Sequence, residues 1–447
     1  MALSALAKEV LAKAKSDKIK FIFLQFTDIL GAIKSATVPI ERLPDILDKG
    51  IWFDGSSIQG FVRICESDMI LVPDPTTYQV IPWKEEGKES ARFICDVHTP
   101  EGQPFEGDPR SILKRAIGEA KKIDYDFYTG PEVEFYLLKR EDGRTTITPH
   151  DIGGYFDYPA RDLASDVRED IILALEKMGM VSEMSHHECG PGQHEIDVRY
   201  SDALTSADNT ITLKYVIKSV AASHNLYASF MPKPLYKQAG SGMHVHQSLF
   251  TKGEKNAFFD PKDKYKLSEV AYNFLAGQLF HAKALTAIVA PTVNSYKRLV
   301  SGYEAPVYIC WAQINRSALI RIPRYSPGRE QSTRLELRCP DPSCNPYLAF
   351  AAMLYAGLDG IKKGMKPPKP VEEDVYEFDE AKLAEYKIDM LPLSIARAVD
   401  ELKKDEVVKM ALGKHSFDRF AKAKMSEFDD YRMQITPWEI NKYLETL

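Results

Sequence analysis

The 447-residue chain is short of cysteine, of clustered basic residues and of long apolar runs, and each shortage narrows what it can be. Its six cysteines, at 65, 95, 189, 310, 339 and 344, form no Cys-x-x-Cys pair, and the opening Met-Ala-Leu-Ser-Ala-Leu-Ala-Lys lacks the layout of a secretory signal. A reducing cytoplasm is the expected setting. The formal charge of −6 is small for this length and no basic block stands out, which argues against a nucleic-acid or anionic-membrane partner. The longest apolar stretch, around Ala284 to Val293, is about half of the roughly 20 residues a membrane span needs, so a soluble protein is expected. There is no Gly-x-x-x-x-Gly-Lys loop, which excludes an ordinary P-loop fold. Repeats and low-complexity segments are absent as well.

What is present is an ordinary globular composition, 44% hydrophobic, in a chain long enough for two domains. Leu3, Leu6, Val10 and Ala14 stand at helical spacing, and Phe21 to Phe26 reads as a buried strand. Further strand-like runs at Ala32 to Val38, Met69 to Val72 and Arg92 to Val97 end at Thr99-Pro-Glu-Gly-Gln-Pro, before a helix opens near Asp108-Pro109. This predicts an α+β protein with a small domain over residues 1–103 and a large one over 104–447. In the second, helical patterns near 161–178, 202–224, 267–288 and 343–362 alternate with strands, which predicts a curved, mostly antiparallel sheet backed by helices. Lys366-Pro-Pro-Lys-Pro-Val-Glu-Glu-Asp reads as an exposed, proline-stiffened loop.

Acidic residues alternating with apolar ones ordinarily mark the solvated face of a strand. Here several such segments converge. Strand periodicity places Glu132 with Glu134, His244 with His246, and Arg334 with Glu336 and Arg338 on common faces. Glu188 and Glu195 flank Cys-Gly-Pro-Gly-Gln, whose glycines and proline favour a turn, which would let the two carboxylates face each other across a hairpin. Clustered carboxylates repel unless cations neutralise them, and an oxygen-dominated set with one histidine suits Mg²⁺ or Mn²⁺ better than zinc. Arg298, Arg316, Arg321, Arg334 and Arg338 add guanidinium groups, whose forks suit a site where charge builds up on a transferring phosphoryl group. The two clusters together point to metal-dependent phosphoryl transfer.

Longer motifs carry a resemblance. Phe53-Asp54-Gly55-Ser56-Ser57-Ile58-Gln59-Gly60-Phe61 looks like the latch loop of the glutamine synthetase family, and Lys297-Arg298 through Tyr303-Glu304-Ala-Pro-Val looks like its flap. Asn315 to Pro323, Arg334 to Arg338 and Asp341-Pro342 to Asn345-Pro346-Tyr347 complete the set, in order along the whole chain. The resemblance is to the prokaryotic type I class. The short segment between Leu138 and Gly153 is similar to the unadenylylated subtype, although Tyr376 falls where the other subtype carries its modified tyrosine.

The resemblance implies a β-grasp-like first domain, carrying the latch loop, and a catalytic second domain. It implies ATP-dependent ligation of ammonia to the γ-carboxylate of L-glutamate through γ-glutamyl phosphate. Position by position, Glu134, Glu188 and Glu195 match a first metal site, and Glu132, His244 and Glu336 a second. Glu183, His246, Ser248 and Arg334 match nucleotide-side positions, with ATP as co-substrate. Arg298, Gly240 and Arg338 match glutamate-binding positions, and Arg316 and Arg321 phosphate-binding ones. Asp54, Ser57, Tyr155, Glu188 and Glu304 match an ammonium pocket, and Arg63 a position that responds to glutamine as effector. A homododecamer of two hexameric rings, with sites between subunits, is the implied assembly, and the C-terminal Pro437 to Leu444 is apolar enough either to lock one ring to the other or to dock onto its own domain. Ala239 departs from the pattern, since many relatives have asparagine there. Two other readings stay open at this point: a ligase for a larger amine, against which Asp54 and Glu304 argue, and a catalytically silent homologue, against which the complete set of metal ligands argues.

Overall fold

A computed structural model describes residues 3–58, 60, 68–253, 255–302 and 305–447. The aromatic and β-branched runs of the first hundred residues pair there into a six-stranded sheet. Phe21–Thr27 lies antiparallel to Ile33–Pro39 and parallel to Ser90–His98. Asp68–Pro73 then links Ser90–His98 to Ile51–Asp54. That last strand goes beyond the sequence expectation, because only four residues alternate before Gly55-Ser-Ser breaks the pattern. The opening helix, Ala5–Ser16, turns Ala7, Val10 and Ala14 inward, whereas Leu6 is 39% exposed. The expected apolar stripe is thus rotated by about one residue.

Asp108 caps the helix Pro109–Lys121, its carboxylate accepting from the amides of Arg110 and Ser111. Arg110 on that helix reaches Asp96 in the small sheet, Asp74 just after its strand Asp68–Pro73, and Asp208 of the next long helix, each at 2.8 Å. One buried guanidinium thus joins the two parts of the chain.

The large sheet has twelve strands, all antiparallel except for the Tyr308–Ala312 and Ala318–Arg321 pair. Its centre is Tyr125–Glu141, a strand seventeen residues long. Val133, Phe135 and Leu137 from this strand are fully buried in a core shared with helices Ala203–Ser223, Glu269–Phe280, Ala282–Val289 and Pro346–Lys363. Alternation sends Glu132 and Glu134 to the opposite face. The expected helix over 267–288 is two helices, parted at His281. Nor is the proline-rich segment after Lys366 simply exposed: Val371 is buried, and Trp311 donates its indole hydrogen to the Pro368 carbonyl at 2.7 Å. No helix among the described residues is long and apolar enough to cross a membrane.

Candidate functional site

Strand register builds the site. Met243–Thr251 runs beside the central strand with His244 opposite Glu132, and on its other side Leu335–Leu337 sets Glu336 opposite His246. Gln193–Val198 flanks the central strand on the far edge, with Glu195 opposite Glu134 and Asp197 opposite Glu132. Ser182–His187 follows, with His186 opposite Glu195. Glu188, two residues beyond His186, shares its face and lies diagonal to Glu195 rather than straight across from it. Every one of these side chains belongs to the face turned away from the helices.

Ligand atoms of Glu132, His244 and Glu336 lie within 4.8 Å of one another, as do those of His186, Glu188 and Glu195, and those of Glu132, Glu195 and Asp197. Glu134 stands beside them, one oxygen accepting from the Gln193 side chain and the Gly242 amide, both at 2.9 Å. His186 and Asp197 are absent from the sequence-derived set. The rule that paired Glu132 with Glu134 finds both, since His186 is two residues before Glu188 and Asp197 two after Glu195.

The electrostatics of this face favour cations. Burial, Glu134 and Asp197 push Glu195 up to about 12. Asp197 Oδ1 is buried and has no amide or hydroxyl donor among the described residues; its side chain shares a hydrogen with the Glu195 carboxyl instead. Burial would also raise Glu132, but His246 and His244 outweigh it and hold the carboxyl well below the usual range. Arg334 donates to His246 Nδ1 at 3.1 Å, so Nε2 carries the hydrogen that points at Glu132, 2.7 Å away. Glu336 is the best neutralised, with Arg338 Nη1 at 2.5 Å and an ion-pair contact from Arg321 at 2.6 Å. The ion pairs of both guanidiniums fall on this one carboxylate of the cluster. A donor set of carboxylates with imidazole, crowded and short of hydrogen-bond donors, fits hard divalent ions such as Mg²⁺ or Mn²⁺.

Three spaces, each sharing lining residues with the next, surround the cluster. A cavity of about 330 Å³ is lined by Glu183, His246, Ser248 and Arg334, together with Glu132 and Asp197. A second, of about 340 Å³, holds the acid cluster with Tyr155, Arg316, Arg321 and Arg338. A third, much smaller, is walled by Gly240, Arg298, Arg338, Glu134 and Glu188. Arg298 is buried and fixed by the carbonyls of Arg338, Cys339 and Pro340. Gly240 allows close approach, since a Cβ there would lie 2.8 Å from Arg298 Cγ.

Asp54 and Ser57 line none of these spaces. Asp54 ends the edge strand of the small sheet, opposite Asp68, and accepts from the Ser56 amide at 2.8 Å. Arg63 and Glu304 lie outside the described residues.

Comparison with known proteins places this arrangement. Residues 106–443 match the family described as glutamine synthetase, catalytic domain, and residues 18–100 match glutamine synthetase, beta-Grasp domain. A glutamine synthetase of Halobacterium salinarum is 51% identical over 446 residues, covering 99% of this chain and 98% of that protein. Among solved structures, GmaS in complex with ADP superposes with a TM-score of 0.89 at 36% identity, over 98% of this chain and 99% of that one. Plasmodium falciparum glutamine synthetase gives 0.88 at 25% identity, over 99% of each. Matches of this extent leave no stretch of either sheet unaccounted for, and the chain belongs to the glutamine synthetase family.

Proposed function

We propose that the protein catalyses ATP-dependent formation of L-glutamine from L-glutamate and ammonia, with ADP and phosphate as the other products. The observation that carries this reading is the position of Glu132 and Asp197, which line both the cavity of His246, Ser248 and Arg334 and the cavity of the acid cluster. A nucleotide in the first cavity would direct its terminal phosphate toward the second. The ADP complex of GmaS supports a nucleotide in this fold.

At least two divalent ions, Mg²⁺ or Mn²⁺, would be held by Glu134, Glu188 and Glu195 and by Glu132, His244 and Glu336. Once bound, such ions neutralise phosphoryl oxygens and orient them. The protein's own groups do the rest. Arg298, Gly240 and Arg338 hold glutamate in the small cavity, the two guanidiniums taking its carboxylates. Arg316 and Arg321 face the acid cavity, where they stabilise charge as the γ-phosphoryl group passes to the γ-carboxylate. Ammonia then displaces phosphate from the γ-glutamyl phosphate. The ammonium pocket is assigned to Glu188, Tyr155, Ser57, Glu304 and Asp54, with Asp54 accepting the ammonium proton so that a free amine attacks.

The position of Asp54 and Ser57 away from the cavities of their own chain supports a site completed by a neighbouring copy, and with it the two-ring dodecamer. We place the domain boundary at residues 103–104, between the last strand of the small sheet and the Asp108-capped helix. A cytoplasmic location, and glutamine as an effector acting through Arg63, belong to the same proposal. Phosphate and amide product measured with ATP, glutamate and ammonium, with methylamine and putrescine in parallel, test it. Ammonium should give the highest kcat/KM, and a clear preference for either larger amine would overturn the substrate assignment.

A further inference from the structure

The back of the hairpin that carries Glu188 and Glu195 holds charge the reaction above does not use. His187 and His194 point away from the acid cluster, are both 0% exposed, and meet edge to face with centroids 4.7 Å apart. His187 Nδ1 lies 2.7 Å from the Glu188 carbonyl, and its Nε2 lies 2.9 Å from Asp151 Oδ1. Both partners are acceptors, so both ring nitrogens carry hydrogen, and His187 forms a fully buried ion pair with Asp151. His194 differs. Arg168 donates to its Nδ1 at 3.0 Å and is itself gripped by Asp162 at 2.9 and 2.6 Å, which leaves the hydrogen of His194 on Nε2. That nitrogen has no lone pair to offer, so Asp151, His187 and His194 do not form a further metal site although their ligand atoms lie within 4.8 Å.

Asp151 ties more than one histidine. Its Oδ1 also accepts from the amides of Gly192 at 2.9 Å and Gly153 at 3.3 Å, and its Oδ2 from that of Leu163 at 3.1 Å. The Phe156 amide donates to the His187 carbonyl at 3.0 Å. One carboxylate thus joins the end of the Ser182–His187 strand, the turn after Glu188 and the loop over 151–163. That loop lays Tyr155 edge-on to His186, with centroids 5.5 Å apart, and stacks Phe156 on the same ring at 4.5 Å.

We propose that Asp151 and His187 are the positioning pair of the ammonium subsite, fixing the Glu188 and Tyr155 segments in mutual register from behind the sheet; this rests on the ammonium pocket assigned above. The pair acts through the peptide it holds. His187 grips the carbonyl of Glu188 itself, and a site group is held to within a fraction of an ångström only when such outer partners lock it. The nucleotide cavity draws on residues at the far end of the hairpin and on other strands, so it does not depend on this joint.

Two variants of the full-length protein test the pair. Asp151→Asn keeps the shape of the side chain and removes its charge. Gly153→Ala leaves every charge in place but sets a Cβ 2.7 Å from His187 Nε2, displacing the ring. Each should raise the KM for ammonium about tenfold while the KM for ATP stays within about twofold. A merely structural role would lower the thermal midpoint and the active fraction and leave both constants alone. An unchanged ammonium KM in either variant, or ammonium and ATP constants that rise together, overturns the pair while the parent still makes glutamine. A parent that makes no glutamine from ammonium sinks the functional reading, and this subsite with it.

Discussion

Glu336 shows how much one side chain can carry at this site. It is 1% exposed, yet it faces Arg338, Arg321 and His244, and burial, which would raise its carboxyl, is outweighed by these neighbours and His246. Glu336→Gln keeps the volume and removes the charge that would hold a metal and restrain both guanidiniums. Turnover should fall at least about a hundredfold, with divalent-ion affinity weakened about tenfold or more by calorimetry. Near-normal turnover would remove Glu336 from the site. Gly242 tests geometry instead of charge. A Cβ there would lie 2.7 Å from Arg298 Nη2 and 3.2 Å from both Glu134 Oε1 and His244 Nε2. Arg298 cannot yield, being fixed by three carbonyls, so Gly242→Ala should cost about tenfold or more in kcat/KM for glutamate, while ATP binding, measured alone, stays close to the parent's. Equal losses for both ligands would show a general disruption.

At the scale of elements, the period of two made much of the site legible. It placed Glu132 with Glu134 and His244 with His246 before any pairing was known, but it could not supply the register that sets His244 against Glu132 and Asp197 against the same residue. Register is fixed by contacts between strands far apart in the chain. Helices were legible where caps were clear, as at Asp108, and not where tertiary contacts cut them. His281 is such a cut: its Nδ1 lies 2.6 Å from Asp405 and its Nε2 3.1 Å from Asp359, which also holds Lys363 at 2.8 Å. Burial disfavours a charged ring, but the two carboxylates outweigh it and raise His281 above its ordinary value. The stabilisation is therefore complete below about pH 6.5 and is lost as pH rises through the raised value. His281→Gln should cost about 2 kcal/mol in denaturant unfolding at pH 6, and less as pH rises. A cost that is flat across pH would show that the ring is neutral and acts only by packing.

For the molecule as a whole, the C-terminal segment leaves a run of apolar side chains exposed. Met433, Ile435, Trp438 and Leu444 are 69%, 77%, 63% and 75% exposed, and they follow one another within a dozen residues. The segment is nonetheless well built. Thr436 and Glu439 form a capping box, and Pro437 opens the helix Pro437–Tyr443, so its backbone is ordered while its apolar side chains stay in water. Burying one such side chain is worth about 1.5–3 kcal/mol, which makes a segment of this kind a poor solvated tail and a good clasp. It does not dock on its own domain, because docking would have hidden these residues. Within the proposed two-ring assembly, each copy would seat its segment on the opposite ring. Removal of residues 434–447 should then convert the dodecamer to hexamers by native mass spectrometry, while the cavities, built from residues far upstream, retain most of the activity per chain. A truncated protein that stays dodecameric would show that the rings are held elsewhere. One that falls to monomers and loses activity in step would show instead that the segment secures neighbours within a ring, where Asp54 and Ser57 would have to cross.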